Sequence, residues 1–425
     1  MKRFLSGDEA FAEGVRLAKP QVISAYPITP QTVVVERLSE MVEEGSLKAG
    51  YVHVESEHSA LSCAMGASAT GARTFTATSS QGLLYMAEVL TYAAGGRFPI
   101  VMMNANRATA LPWNIYGDQR DSLALLDHGW IQAYAENNQE VLDLALMAYA
   151  VAEDPAVLTP FMVNLDGFAL THTYETVVPA EEDADAFLPP YQATNCFDFE
   201  HPKNIGYSAG PDYNRYFKYY EHRDMLGAFE AIARVEARFA ECFGRAYTGP
   251  VEAVSCDDAE AVLVTLGSIA GLARESVARL REQGKRVGLL RIRYMRPFPA
   301  KLIAEALAGA AAVGVLEKDI SFGAEGTVFT NVNSALQQAG CTTPTFNFIG
   351  GLGGDDITSA QMDAMFDALL DSVGERGRDD AAAGRSCDDA STGQGAGLGR
   401  VSFLGIDFPV ASQPACGDDC EEGAR

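Results

Sequence analysis

The sequence predicts an α/β protein with two parallel sheets, one following the other along the chain. Two observations carry that prediction. Short β-branched runs alternate with helical patterns from residue 21 to about 170, and the same rhythm resumes between about 257 and 373. Parallel strands require a crossover, usually a helix, so such alternation reads as βαβ units with helices on both sheet faces. Ligands in sheets of this kind sit beyond the carboxyl ends of the strands. Functional side chains are therefore expected just after each strand.

In the first stretch, 1–172, the strand candidates are "QVISAY", "YVHVES", "RTFTATS", "FPIVMMNA", "WIQAYA" and "PFMVNLD". Residues 173–256 break the rhythm. Pro, Tyr, Asn and charged residues dominate 173–223, which reads as a long connection wrapping a surface. A helix, "MLGAFEAIARVEARFAECFG", follows from residue 225. The second stretch, 257–373, holds "AVLVTLGS", "RVGLLRI", "AAVGVLE" and "TFNFIGGLGGDDIT", which form a smaller α/β domain. Residues 374–425 turn to Gly, Ala, Asp and Ser, a composition that predicts an acidic disordered tail. One apolar island, "RVSFLGIDFPV" at 400–410, is suited to dock on the body or on a partner as a single extended segment.

Composition narrows the function classes. The net charge is −25, from 57 acidic and 32 basic residues, so no basic stripe is available to neutralise nucleic acid. No stretch approaches the roughly 18 consecutive apolar residues of a membrane span, and no early segment reads as a signal peptide. A cytoplasmic protein is expected. The eight cysteines are scattered, the pattern of reduced thiols, and Cys416 and Cys420 form a C-x3-C pair in the acidic tail.

Four junctions hold the candidate residues. "SAYPITPQT" follows the first strand, and its two prolines restrict Tyr26, Pro27, Thr29 and Pro30, with Pro30 suited to open the next helix. Glu57 follows the second strand and opens a helix rich in Ala and Gly; alone it reads equally as a carboxylate favoured by the helix dipole. "TATSSQGLL" places Ser79, Ser80, Gln81 and Gly82 after the third strand, where hydroxyls and N–H groups could bind an anion or merely cap the helix. Arg107 follows the fourth, suited either to clamp a substrate carboxylate or to pair with Asp118 or Asp121 of "GDQRD". Six dispersed histidines show no ligand spacing, so no metal held wholly by this chain is expected. "GGLGG" (350–354) precedes two aspartates and reads as a tight loop or interface turn.

Taken together, "AYPITPQT", "VESEHSA", "GARTFTATSSQGL", "NRA", "YAENNQEVLDLAL", "DGF..TH", "RPFP" and "GLGGDDIT" resemble the alpha subunits of multi-subunit pyruvate:ferredoxin oxidoreductases, over roughly residues 5–373. That resemblance implies a pyrimidine-type thiamine-diphosphate-binding domain at 1–172 and a transketolase C-terminal-like domain at 257–373, joined by the 173–256 segment. It implies CoA-dependent oxidative decarboxylation of pyruvate to acetyl-CoA and CO2, with electrons passed to ferredoxin. Glu57 then matches the catalytic carboxylate at pyrimidine N1′. Thr29 would donate to the substrate, Arg107 would pair with its carboxylate, and Pro27, Ile28, Ser80 and Gln81 would line the cofactor. The family's G-D-G…N run is missing, as is any C-x2-C-x2-C run. Mg2+, the diphosphate and the iron–sulfur clusters are thereby assigned to beta-, gamma- and delta-type partners.

One departure stands out. Gln119-Arg120 occupies a place where "DHQD"-like residues are common in pyruvate-type members. An added arginine could shift preference to another 2-oxoacid (2-oxoglutarate, a branched-chain or aryl acid, or oxalate) or simply pair with Asp118. A non-catalytic assembly subunit is the remaining alternative.

Overall fold

A computed structural model describes residues 2–181, 183–202, 204–206, 208–382 and 401–406. The chain opens with β1 (Arg3–Ser6) and α1 (Gly7–Ala18), whose first turn closes in a capping box between Ser6 and Glu9. There follow β2 (Val22–Ala25), α2 (Thr32–Glu43), β3 (Gly50–His53), α3 (Glu57–Ala69), β4 (Thr74–Thr78), α4 (Ser80–Tyr85) and α5 (Ala87–Gly95). The series continues with β5 (Val101–Asn106), α6 (Arg120–Leu123), β6 (Ile131–Tyr134), α7 (Asn138–Ala152) and β7 (Phe161–Asp166). Strands β2 to β7 run parallel in the order β6-β7-β5-β4-β2-β3. Every residue of β4, β5, β6 and β7 is buried, because helices cover both faces.

The connection is more ordered than its composition suggested. β8 (Tyr174–Val177) pairs antiparallel with β1, α8 (Ala184–Phe187) follows, and α9 spans Pro211–Phe243. The sequence reading placed the start of this helix at residue 225. Its first turns escaped notice because residues 211–220 are exposed on all sides and so carry no apolar period. The start itself follows from Pro211 at the first helical position, and Gly244 in the left-handed region ends the helix.

The second body contains β9 (Val251–Val254), β10 (Ala261–Leu266), α10 (Ile269–Glu282), β11 (Val287–Ile292), β12 (Tyr294–Arg296), α11 (Ala300–Leu307) and β13 (Ala312–Glu317). It ends with α12 (Thr327–Gln338), β14 (Thr345–Ile349), α13 (Ser359–Ala382) and β15 (Val401–Phe403). Its sheet has the order β15-β14-β13-β10-β11-β9, parallel except for β9 at one edge. The sheet thus begins before 257 and ends after 373. The apolar island does dock on the body: Val401 and Phe403 stand opposite Asn347 and Ile349, and the Leu404 N–H donates to Ile349 O at 2.9 Å. Residues 374–382, expected to be disordered, continue α13, and the remaining tail, 383–400 and 407–425 with Cys387, Cys416 and Cys420, lies outside the described residues. The five described cysteines are free.

β12 does not join its own sheet. It pairs antiparallel with β6, Tyr294 opposite Ala133, and so completes the first sheet with a strand from the second body. Just before it, Arg293 Nε donates to Glu140 Oε1 at 2.7 Å and its Nη1 to Glu236 Oε1 at 2.6 Å, while Arg291 pairs with the other Glu140 oxygen. Burial would raise the Glu140 carboxyl, but the two guanidiniums outweigh it and hold it below the usual carboxylate range. Among the described residues, no helix is long and apolar enough to cross a membrane.

Candidate active site

The candidate residues lie beyond the carboxyl ends of β3, β2, β4 and β5, four neighbouring strands in the sheet. After β2, the proline loop turns outward: Pro27 and Thr29 are exposed, Ile28 is half-buried and Pro30 is buried. What pins the loop is Gln31, a fully buried side chain that the sequence reading passed over. Its Nε2 donates to Tyr26 O at 2.8 Å and to Ala77 O at 3.2 Å, tying the loop to β4. The Gln31 N–H closes a turn onto Ile28 O at 2.9 Å, so α2 begins at Thr32 and not at Pro30.

After β3, Ser56 is the N-cap of α3 and accepts the Ser59 N–H at 3.2 Å. Glu57 is the first helical residue, a place the helix dipole also favours for a carboxylate, while Ser56 supplies the cap. Glu57 makes no hydrogen bond or ion pair among the described residues. Its side chain lies across α4 at Gly82, where a Cβ would stand 2.7 Å from Oε1 and 2.8 Å from Cγ. The absence of a side chain at residue 82 makes the space that the carboxylate occupies.

After β4, the Ser79 side chain caps nothing, and Ser80 sits fully buried in the left-handed region at φ 51°. The Ser80 N–H donates to Asp121 Oδ2 at 3.0 Å, while its hydroxyl lies 2.7 Å from Ala108 O and 2.6 Å from Gln81 Oε1. The Ser80 N–H is thus already held by a buried carboxylate, while the Ser79 and Thr78 hydroxyls are buried without partners. Ser80 supports Gln81, which is half-buried.

After β5, Arg107 is only 6% exposed. Its Nη1 donates to Thr29 O at 2.7 Å, its Nη2 lies 3.3 Å from Gln81 Oε1, and its Nε is buried without a partner. Burial lowers the guanidinium from its usual value, opposed by the charges of Asp121 and Glu57. It forms no ion pair with either aspartate of "GDQRD". Asp118 instead pairs with Arg120, 2.8 Å from its Nη2, which accounts for the arginine that departs from the family pattern.

The second body reaches the back of this site. The Gly353 N–H donates to Asp118 Oδ2 at 3.1 Å and Gly353 O accepts Asn114 Nδ2 at 2.9 Å, so "GGLGG" is an interface turn, with Gly353 at φ 62°. Asp166, at the end of β7, accepts from Gln119 Nε2 at 2.9 Å and from the Ser268 N–H at 2.8 Å, and lies 3.3 Å from Lys318 Nζ. Burial acts to raise that carboxyl, but Lys318 and the donors bring it below the usual range.

A thiamine pyrimidine ring needs a carboxyl group free to share a proton and an uncluttered surface beside it. The unpartnered Glu57 carboxylate beside side-chain-free Gly82 fits that need. Among the described residues, no group of three His, Cys, Asp or Glu is arranged to hold a metal ion. The fold and these strand-end groups define the class: a two-body α/β protein whose candidate site lies at the strand ends of its first sheet.

Residues 13–237 match the family described as pyruvate flavodoxin/ferredoxin oxidoreductase, thiamine diphosphate-binding, and 259–362 match pyruvate:ferredoxin oxidoreductase core domain II. The chain is 48% identical over 364 residues to pyruvate synthase subunit PorA of Methanothermobacter thermautotrophicus, covering 85% of this chain and 94% of that one. It is 45% identical over 368 residues to ketoisovalerate oxidoreductase subunit VorA of Pyrococcus abyssi, covering 86% and 92%. A solved 2-oxoglutarate:ferredoxin oxidoreductase from Magnetococcus marinus shares the fold, with a TM-score of 0.67 at 20% identity, over 87% of this chain and 65% of the other. The chain belongs to the 2-oxoacid:ferredoxin oxidoreductase family, as an alpha subunit of its multi-subunit form.

Proposed function

We propose that this chain is the alpha subunit of a cytoplasmic, thiamine-diphosphate-dependent complex that oxidatively decarboxylates pyruvate to acetyl-CoA and CO2 in the presence of CoA, with ferredoxin as electron acceptor. The observation that carries the reading is the free Glu57 carboxylate over Gly82, beside a buried Arg107 clamped to the Thr29 loop. When bound, thiamine diphosphate supplies the carbon nucleophile and the electron sink that decarboxylation needs. Glu57 would hold and exchange a proton at its carboxylate with the pyrimidine. Pro27, Ile28 and Gln81 shape the surface around that edge, and Ser80 steadies Gln81 from behind. Arg107 provides the positive field for the substrate carboxylate, and the Thr29 hydroxyl on the open loop donates to the substrate. A beta-type partner holds Mg2+, the diphosphate and an iron–sulfur cluster, and gamma- and delta-type subunits complete the path to ferredoxin. The second body serves assembly.

The test is reduction of a viologen dye by the co-purified complex, dependent on both pyruvate and CoA. A Glu57→Gln complex should lose on the order of 10²-fold or more in turnover. Near-normal turnover in that variant refutes the role of Glu57. The similarity to a ketoisovalerate oxidoreductase subunit supports a second reading, a branched-chain 2-oxoacid as substrate. A kcat/KM series across 2-oxoacids decides between them.

A further inference from the structure

We propose that Asp121 is a positioning residue of the 2-oxoacid site, joining the ends of β4 and β5 and thereby fixing the Arg107 guanidinium against the Thr29 loop. This rests on the reading of Arg107 as the group that faces the substrate carboxylate. Asp121 is fully buried and takes part in no ion pair among the described residues. Its two oxygens are instead surrounded by N–H donors. Oδ2 accepts from the backbone N–H of Ser80 at 3.0 Å and of Arg107 at 3.1 Å, with Asn104 Nδ2 at 3.4 Å. Oδ1 accepts from Asn106 Nδ2 and from the Ser122 N–H, each at 2.7 Å. Two of these donors, Ser80 and Arg107, stand just beyond the ends of two different strands, β4 and β5.

Two routes lead from this carboxylate to the Arg107 side chain. The direct one is the Arg107 N–H itself. The other passes through Ser80, whose left-handed backbone is disfavoured for a residue with a Cβ and needs outside support. Ser80 then contacts Gln81 Oε1, which faces Arg107 Nη2. The carboxylate therefore determines where the guanidinium starts and what it meets at its far end. Burial pushes the carboxyl up to about 6 against the pull of Asn106 and the Arg107 and Ser80 N–H groups, in keeping with a buried carboxylate held by hydrogen bonds.

An amide cannot replace it. Whichever way an asparagine side chain is turned, its NH2 faces donors: Asn106 and Ser122 on one side, or Ser80, Arg107 and Asn104 on the other. The second body also braces the segment, since the Gln119 N–H donates to Lys318 O at 2.8 Å and Asp118 accepts the Gly353 N–H. Asp121 is thus held from behind while it holds the site in front.

The test uses the assembled complex carrying Asp121→Asn, Arg107→Ala, or both. In Asp121→Asn, the KM for pyruvate should rise by about tenfold or more, with the KM for CoA unchanged. In the Arg107→Ala background the same substitution should change kcat/KM by less than about twofold, because its effect runs through the side chain already removed. Asn106→Ala leaves the carboxylate in place but removes an Oδ1 donor; it should show the same pattern at smaller size, and it serves if Asp121→Asn does not assemble. An unchanged pyruvate KM in Asp121→Asn or Asn106→Ala, beside a raised one in Arg107→Ala, overturns this inference alone. Additive losses in the double variant overturn it too. An unchanged KM in Arg107→Ala overturns both this inference and the reading of Arg107.

Discussion

Replacing Gly82 with alanine perturbs Glu57 without altering it. The new methyl would stand 2.7 Å from Glu57 Oε1 and 2.7 Å from Thr78 Oγ1. Ordinary contact begins near 3.4 Å, so the carboxylate must retreat by about 0.7 Å. Glu57 is half-buried and can swing outward, so the clash displaces the side chain and leaves the helix in place. A misplacement of about 1 Å at a reacting group costs on the order of 10²-fold, which puts the expected loss of turnover between about tenfold and a hundredfold. Stability should stay level or fall modestly, since the helical gain of about 0.5–1 kcal/mol is set against the contact with buried Thr78, and overpacking costs about 1–3 kcal/mol. Initial rates of pyruvate- and CoA-dependent dye reduction, with a thermal melt on the same preparation, read both quantities. Wild-type turnover in Gly82→Ala would refute the reasoning, as would a loss matched by an equal loss of folded protein.

Two further outcomes concern stability. Glu140→Ala leaves Arg291 and Arg293 buried without their shared carboxylate and should cost about 3–5 kcal/mol, read as a lower denaturation midpoint. Because the Glu140 carboxyl is held low in the fold, its stabilisation is full above the ordinary value of 4.5 and is lost as pH falls through its lowered one. Asp8 has the opposite sign. It is fully buried, neither oxygen has a hydrogen-bond partner, and burial, with Glu9 adding to it, lifts its carboxyl well above 3.8. The fold therefore loses stability as pH rises above 3.8 towards the raised value, and Asp8→Asn removes that loss. The melting temperature of Asp8→Asn relative to the parent chain should climb between about pH 4 and 7, and a gap independent of pH would count against the assignment.

The residues legible in the sequence were those set by local chain geometry. Thr29, Glu57, Gln81 and Arg107 each lie within four residues of a strand's end, and in a parallel sheet that position brings them to one rim. The residues that escaped notice act across distance. Gln31 reaches β4, and Asp121 joins two loops whose donors lie 14 and 41 positions away in the chain. Nothing in "GDQRD" distinguishes an aspartate that accepts backbone N–H groups from one that pairs with an arginine, and both occur there. The first turns of α9 lacked the apolar period that reveals a helix, for want of a buried face. The sheet boundaries at β9 and β15, and the passage of β12 into the other sheet, depend on pairing partners far along the chain.

The position of β12 governs the order in which the chain can be completed during synthesis. β6 emerges early, yet the neighbour that covers its outer edge, from Tyr294 to Arg296, is made only after two strands of the second sheet plus β9 have left the ribosome. Until then the first sheet carries an unpaired edge, the feature that invites association with other chains. A fragment ending before Tyr294 should accordingly aggregate, and the finished chain should melt in one step, because the second body cannot unfold without withdrawing β12 from the first sheet.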